Sequence, residues 1–301
     1  MTKKYHVYQI DSFTKNIFSG NPAGVVTNAD GLTDQQMQQI ARELNNSETA
    51  FVLPASDPLA DIQVRFFTPT TEVPICGHAT IAAHYALATE NNWDTRKTIQ
   101  QTKAGNVPVN VIKQDDGYKV IMTQGKIEIS QPLDLPIQYQ IIDALGLSVA
   151  QMNRFCPIEI ASTGHSKVMV GINSLDDLNK LEPDLDKLSK ISQEIKCNGF
   201  YAFTVDPNET PLIHGRMFAP AIGVNEDPVT GNANGPLGAY LVQNQVVPVK
   251  NRRSFGFQIA QGEKINRPGS MVVRVSIDNG RPTKVKIIGD AVIAFSTEIE
   301  L

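Results

Sequence analysis

The sequence predicts a mixed α/β chain made of two similar domains. Three observations predict it. Strand-like runs alternate with helix-like runs from end to end. A proline-bearing stretch, ISQPLDLP (129–136), reads as a linker between two halves. One motif, R-x-F-x-P followed by a Gly turn and a small-residue helix, occurs once in each half. A length of 301 residues fits two domains, and a hydrophobic content of 41% is enough to give each a core.

The first half opens with a strand-like run, KYHVYQI (4–10). TDQQMQQIAREL follows as an amphipathic helix: Thr33 and Gln36 make a capping box, and Met37, Ile40, Ala41 and Leu44 repeat at helical spacing. The helix stops at Asn45–Asn46, and ETAFVL (48–53) re-enters a strand. In ADIQVRFF (60–67), Ile62, Val64 and Phe66 alternate with polar neighbours, the period of a strand. A helix of small residues follows Ala79, then the strands VPVNVI (107–112) and YKVIM (118–122). Beyond the linker, SKVMVGI (166–172) and GFYAFTV (199–205) read as strands with helices near 174–195 between them. VVRVSI (272–277), KVKII (284–288) and AVIAF (291–295) close the chain as strands.

The repeated motif predicts a duplicated unit. Arg65-Phe66-Phe67-Thr68-Pro69 precedes Gly77-His78-Ala79, and Arg216-Met217-Phe218-Ala219-Pro220 precedes Gly231-Asn232-Ala233; the following helices carry Tyr85 and Tyr240. Seven residues lie between Pro69 and Gly77 and ten between Pro220 and Gly231, a difference that costs a loop little. Each Gly turn opens a helix, so each presents backbone N–H groups and the positive end of a helix dipole. Glycine lets a ligand approach that backbone closely. Alone, either turn is an ordinary helix start; as a matched pair they predict a site for a carboxylate.

Composition excludes several classes. The net charge is −4, with no Lys/Arg cluster of the kind a phosphate backbone needs, so no nucleic acid partner is expected. No apolar run reaches the roughly 18 residues of a membrane span, and the N-terminus, MTKKYHVYQIDSF, lacks the apolar core of a signal peptide. Three cysteines, Cys76, Cys156 and Cys197, read as free thiols in a reducing cytoplasm. Cys76 and His78 are too close in sequence for a usual zinc pair, and no C-x-x-C or H-x-x-x-H accompanies them, so no metal is expected. Neighbours on so tight a turn are not expected to aim at each other as a hydrolase dyad. The turn reads first as a backbone device.

DSFTKNIFSGNPAGVV (11–26), NNSETAFVL (45–53), RFFTPTTEVPICGHAT (65–80), TGHSKVMV (163–170), CNGF (197–200) and RMFAPAIGVNEDPVTGNANGPLGAYL (216–241) together carry a resemblance. The chain resembles the phenazine-biosynthesis-like (PhzF-type) family of the diaminopimelate-epimerase-like superfamily, and within it the uncharacterised bacterial isomerase-like branch. The resemblance implies two pseudo-twofold-related α+β domains, each a mostly antiparallel sheet wrapped around a central helix. It places them at 1–127, completed by about 289–301, and at 128–288, with the active site in the cleft between them. It implies a homodimer that needs neither metal nor cofactor. The family's proton-carrying glutamate matches Glu48, the histidine of its G-H motif matches His78, and the aspartate of E-D-P matches Asp227. The turn residues Cys76, Gly77, Thr230, Gly231 and Asn232 become candidate substrate contacts. A serine often follows T-G in the family, and Asn232 stands there instead. The epimerase branch uses one cysteine on each Gly turn. Here Cys76 has no counterpart in Asp227-Pro228-Val229-Thr230-Gly231, so two-thiol racemisation is not expected.

These residues suit proton transfer at carbon of a small carboxylate. One group must both take and return a proton, and a carboxyl does so efficiently near neutral pH only if burial raises its pKa. Glu48, between a capped helix and the apolar strand AFVL, is placed for that. Asp227 would hydrogen-bond a substrate amine or hydroxyl, and His78 would donate to the substrate or orient Asp227. His84, Cys156 and Cys197 read as packing residues. Two other classes fit the same sequence: a non-catalytic metabolite-binding protein on this fold, indifferent to Glu48, and a racemase or hydrolase that depends on Cys76.

Overall fold

The computed structural model describes residues 2–301. The chain forms two compact units, Met1–Thr123 with Ile288–Leu301, and Gln124–Ile287.

In the first unit β1 (Lys4–Ser12) lies between β2 (Asn21–Val26) and the last strand of the chain (Ala291–Glu300), antiparallel to both. α1 (Asp34–Leu44) then carries the chain to β3 (Thr49–Leu53), which is parallel to β2. β4 (Ile62–Phe67) runs antiparallel to β3, and the short β5 (Glu72–Val73) turns back on it. α2 (Gly77–Glu90) leads to β6 (Thr95–Thr102), parallel to β4, and to the antiparallel β7 (Gly105–Gln114) and β8 (Gly117–Thr123).

Local chemistry explains both helices. Thr33 Oγ1 accepts from Gln36 N at 3.2 Å and Gln36 Oε1 accepts from Thr33 N at 2.9 Å, closing the capping box, while Met37, Ile40 and Ala41 face the core. α2 is small and apolar on every side, so it has no face to give to water. It is buried from Gly77 to Ala88 apart from Tyr85 and packs against β1, β2, β3, β7, β8 and the last strand. The sheet wraps this helix.

The second unit repeats the plan. β9 (Glu128–Ile129) pairs with β10 (Glu159–Ser162) after α3 (Leu135–Ala144), and β10 pairs with β11 (Lys167–Ile172). α4 (Leu175–Asn179) and α5 (Leu185–Ile195) cross to β12 (Phe200–Val205), parallel to β11. β13 (Ile213–Ala219) is antiparallel to β12 and to β14 (Val224–Asp227). α6 (Gly231–Gln243) is buried like α2, and β15 (Ser254–Gln261), parallel to β13, and β16 (Gly269–Asp278) complete the frame. Glycine is needed where α6 is approached closely: a Cβ on Gly235 would fall 1.6 Å from Gln124 Oε1.

The units correspond residue by residue. Gly24 faces Thr49 and Phe51 faces Arg65 in the first; Val168 faces Phe200 and Ala202 faces Arg216 in the second. The expected linker is corrected. Ile129 pairs with Ala161, and Leu135 and Pro136 open α3, because proline at a helix start lacks only an N–H the helix would not use.

Candidate active site

The repeated arginines explain how each Gly turn is braced. Arg65 forks Glu72 with two bonds of 2.8 Å, and its guanidinium lies 5.1 Å from the centre of the Phe67 ring. Arg216 forks Glu226 at 2.9 and 2.8 Å and lies 5.1 Å from the Phe218 ring centre. Each fork ties together the two strands of the hairpin that precedes the turn, with the aromatic two residues on covering the cation. The R-x-F part of the motif is this brace.

A buried glutamine fixes each turn from behind. In the first unit Thr80 Oγ1 donates to Cys76 O at 2.7 Å and accepts from Gln100 Nε2 at 3.2 Å; Gln100 Oε1 accepts from His84 Nε2 at 2.9 Å. In the second, Asn234 Nδ2 donates to Thr230 O at 3.1 Å and to Gln261 Oε1 at 2.9 Å, and Gln261 Nε2 donates to Asp227 O at 2.8 Å. In both, the residue four beyond the helix cap holds the cap carbonyl. The first amide to bond back along α2 is Thr80 N, so the amides of residues 77–79 precede the helix ladder; in α6 those of 231 and 232 do.

The first turn gathers a carboxyl, an imidazole and a thiol. Glu48 Oε2 lies 3.4 Å from His78 Nε2, Ser47 Oγ lies 3.3 Å from the same nitrogen, and Cys76 Sγ lies 3.4 Å from His78 Nδ1. Ser47 and Cys76 also hydrogen-bond the Glu48 carboxyl. Cys76 and His78 are buried, and the Glu48 side chain keeps 23% of its surface exposed. Burial pushes the Glu48 carboxyl above its ordinary value of 4.5, and the two hydrogen bonds only partly oppose this.

The expectation that Cys76 and His78 would not face each other is corrected. Cys76 caps α2 in extended backbone (φ −142°, ψ 128°), which brings its thiol to the side of the helix where His78 points. The fold also adds Glu48 to this pair, and the three donor atoms lie within 4.8 Å of one another. A thiol, an imidazole and a carboxylate so placed are a donor set that zinc accepts. Cys76 and His78 alone are too close in sequence for a usual zinc pair, and Glu48 adds a third donor from a separate segment.

The second turn gathers Asp227, Thr230, Gly231 and Asn232. Thr230 Oγ1 donates to Asp227 Oδ2, Thr230 N donates to Gln261 Oε1 at 3.1 Å, and Gly231 O accepts from Gln124 Nε2 at 2.9 Å. Asn232 is half-buried at the start of α6. Ser47, Thr80, Gln100, Asn234 and Gln261 escape a reading of the sequence. Ser47 is legible only as the neighbour of Glu48, and the glutamines sit in strands with nothing local to mark them.

A family model described as phenazine biosynthesis-like protein matches residues 10–297. An uncharacterized isomerase of Clostridium acetobutylicum is 58% identical, with 100% of both chains covered. The trans-2,3-dihydro-3-hydroxyanthranilate isomerase of Pseudomonas aeruginosa is 32% identical over 93% of this chain and 94% of its own. The crystal structure of a phenazine biosynthesis protein of the PhzF family from Bacillus anthracis superposes with a TM-score of 0.87 at 31% identity, covering 99% of each chain. With the wrapped helices, the paired Gly turns and this match in agreement, the chain is an isomerase belonging to the phenazine biosynthesis-like protein family.

Proposed function

We propose that this isomerase moves a proton between two carbons of a small carboxylate, with Glu48 as the group that takes and returns it. The observation that carries the proposal is the Glu48 carboxyl itself. It is largely withdrawn from water, its pKa is raised by burial, and it stands against His78 at the start of a buried helix. As carboxylate, Glu48 accepts a proton from the donor carbon, and the electron pair left behind spreads into the adjoining unsaturated system. As carboxylic acid, it returns the proton to a second carbon, so the substrate is isomerised and Glu48 is restored. The amides at the Cys76–Gly77–His78 turn suit a carboxylate or the charge that develops during transfer. Asp227, Thr230, Gly231 and Asn232 bind the substrate's other polar groups. The Pseudomonas relative's substrate carries a carboxylate, an amine and a hydroxyl on one ring, and a small carboxylate with such polar groups is the class expected here.

Deuterium wash-in tests this. Wild type and Glu48→Gln are incubated in D₂O with a pool of small carboxylates and a metabolite extract, and carbon-bound label is read by mass spectrometry. Wild type should label a compound, and Glu48→Gln should do so at least about 10²-fold more slowly. Equal labelling by both proteins would remove Glu48 from the mechanism. The contact of Cys76 Sγ with His78 and Glu48 supports a second reading, proton transfer by the thiol. In that case Cys76→Ser and thiol alkylation abolish labelling while Glu48→Gln retains it.

A further inference from the structure

Glu48 has no acidic counterpart in the second unit. α1 and α5 both end on a left-handed residue, Asn45 with φ 52° and Lys196 with φ 53°. Three residues later stand Glu48 and Gly199. The carbonyl of Glu48 accepts from Gly24 N at 3.3 Å, and that of Gly199 accepts from Val168 N at 2.9 Å. The next residues, Thr49 and Phe200, face Gly24 and Val168 across the parallel pair. Gly199 therefore holds in the second unit the place of Glu48 in the first.

Lys167 fills the space that this glycine leaves. A Cβ on Gly199 would come 2.7 Å from Lys167 Cδ and 2.5 Å from Met217 Cε, and φ at Gly199 is +131°, so neither the room nor the backbone admits a side chain. Met217 pairs with Asp227 in the β13–β14 register. Asp227 and the Cys197 thiol are the acidic groups that act on the Lys167 charge. Lys167 is only 6% exposed. Its nitrogen donates to Ser166 O at 3.0 Å, and an ammonium has three donors. Lysine is almost never buried without a partner, because desolvating the charge is costly. Methionine would fill the same space without that cost, so the charge at this position calls for a role.

We propose that Lys167 is a substrate-binding residue: its amino group, next to the place equivalent to Glu48, binds an anionic oxygen of a carboxylate substrate. The inference rests on the reading of the chain as an isomerase of small carboxylates. The test uses protein labelled with ¹⁵N throughout and with ¹³C at lysine Cε, with Lys167→Arg to assign the lysine signal and formate and benzoate as probes. In wild type both anions should shift the Lys167 signal and the Gly231 amide saturably. Lys167→Met, which removes a buried charge and keeps the bulk of the side chain, should bind the same anions at least about tenfold more weakly. A Lys167 signal indifferent to both anions overturns the proposal in wild type alone, whatever the variant's folding. Equal binding by a folded Lys167→Met overturns it as well. Glu48→Gln should keep the full response at Lys167, so loss of proton exchange and loss of anion binding are read separately.

Discussion

Glu48 combines two demands that oppose each other in one carboxyl. Burial raises its pKa, which suits a group that must hold and release a proton, and burial also makes its ionised form unfavourable in the folded chain. With the folded pKa above the ordinary value of 4.5, the folded state binds more protons than the unfolded state between those two pKa values. Stability therefore falls as pH rises through that window and stays lower at neutral pH. Glu48→Gln cannot ionise. It should unfold at higher urea than wild type at pH 7, and the difference should vanish below the ordinary carboxylate range. Urea titrations of the two proteins at pH 7 and pH 4 check this. A glutamine variant less stable than wild type at pH 7 would show that the hydrogen bonds from Ser47 and Cys76 outweigh the desolvation of the charge.

At the scale of elements, the turns depend on braces that lie behind them. Arg216 is buried and donates to Leu178 O and Leu181 O as well as to Glu226, whose side chain is 12% exposed. Removing one partner of a buried pair leaves the other charge uncompensated, at a cost of about 3–5 kcal/mol. Arg216→Met should lose that much in urea unfolding, whereas breaking the exposed Lys180–Asp176 pair should leave the unfolding midpoint essentially where it is. Equal losses would mean that the fork is ornamental. The arginine pattern and the Gly turns are legible in the sequence because they recur, and α1 is legible because its capping box and apolar spacing are local. Glu48 is legible beside them only through the S-E-T resemblance. The partners of those motifs are not. Glu72 and Glu226 look like solvated acids, Gln100 and Gln261 meet their turns only through parallel strand pairing, and Lys167 reads as the polar start of a strand. α3 is hidden because a proline that opens a helix looks the same in sequence as one that breaks a linker.

Across the whole molecule one frame is used twice and loaded differently: a carboxyl just before β3 in the first unit, a buried amine at the start of β11 in the second. The frame itself contributes a pH dependence of the opposite sign to that of Glu48. His84 lies wholly inside α2, where burial holds its pKa down to about 4 against an ordinary 6.5 despite the bond to Gln100. The folded state keeps this imidazole neutral, and the unfolded chain takes up a proton as soon as pH falls below 6.5. Stability tied to His84 is thus complete above pH 6.5 and is lost as pH falls toward 4, on the order of 3 kcal/mol for a shift of this size. His84→Gln retains an amide N–H that can reach Gln100 and removes the titration. Between pH 7 and pH 4 wild type should lose more stability than His84→Gln, and Glu48→Gln, without its own opposing gain on acidification, should lose more than wild type. If wild type and His84→Gln decline in parallel, the histidine is protonated without unfolding, and the glutamine brace behind the first turn is more adaptable than its buried hydrogen bonds indicate.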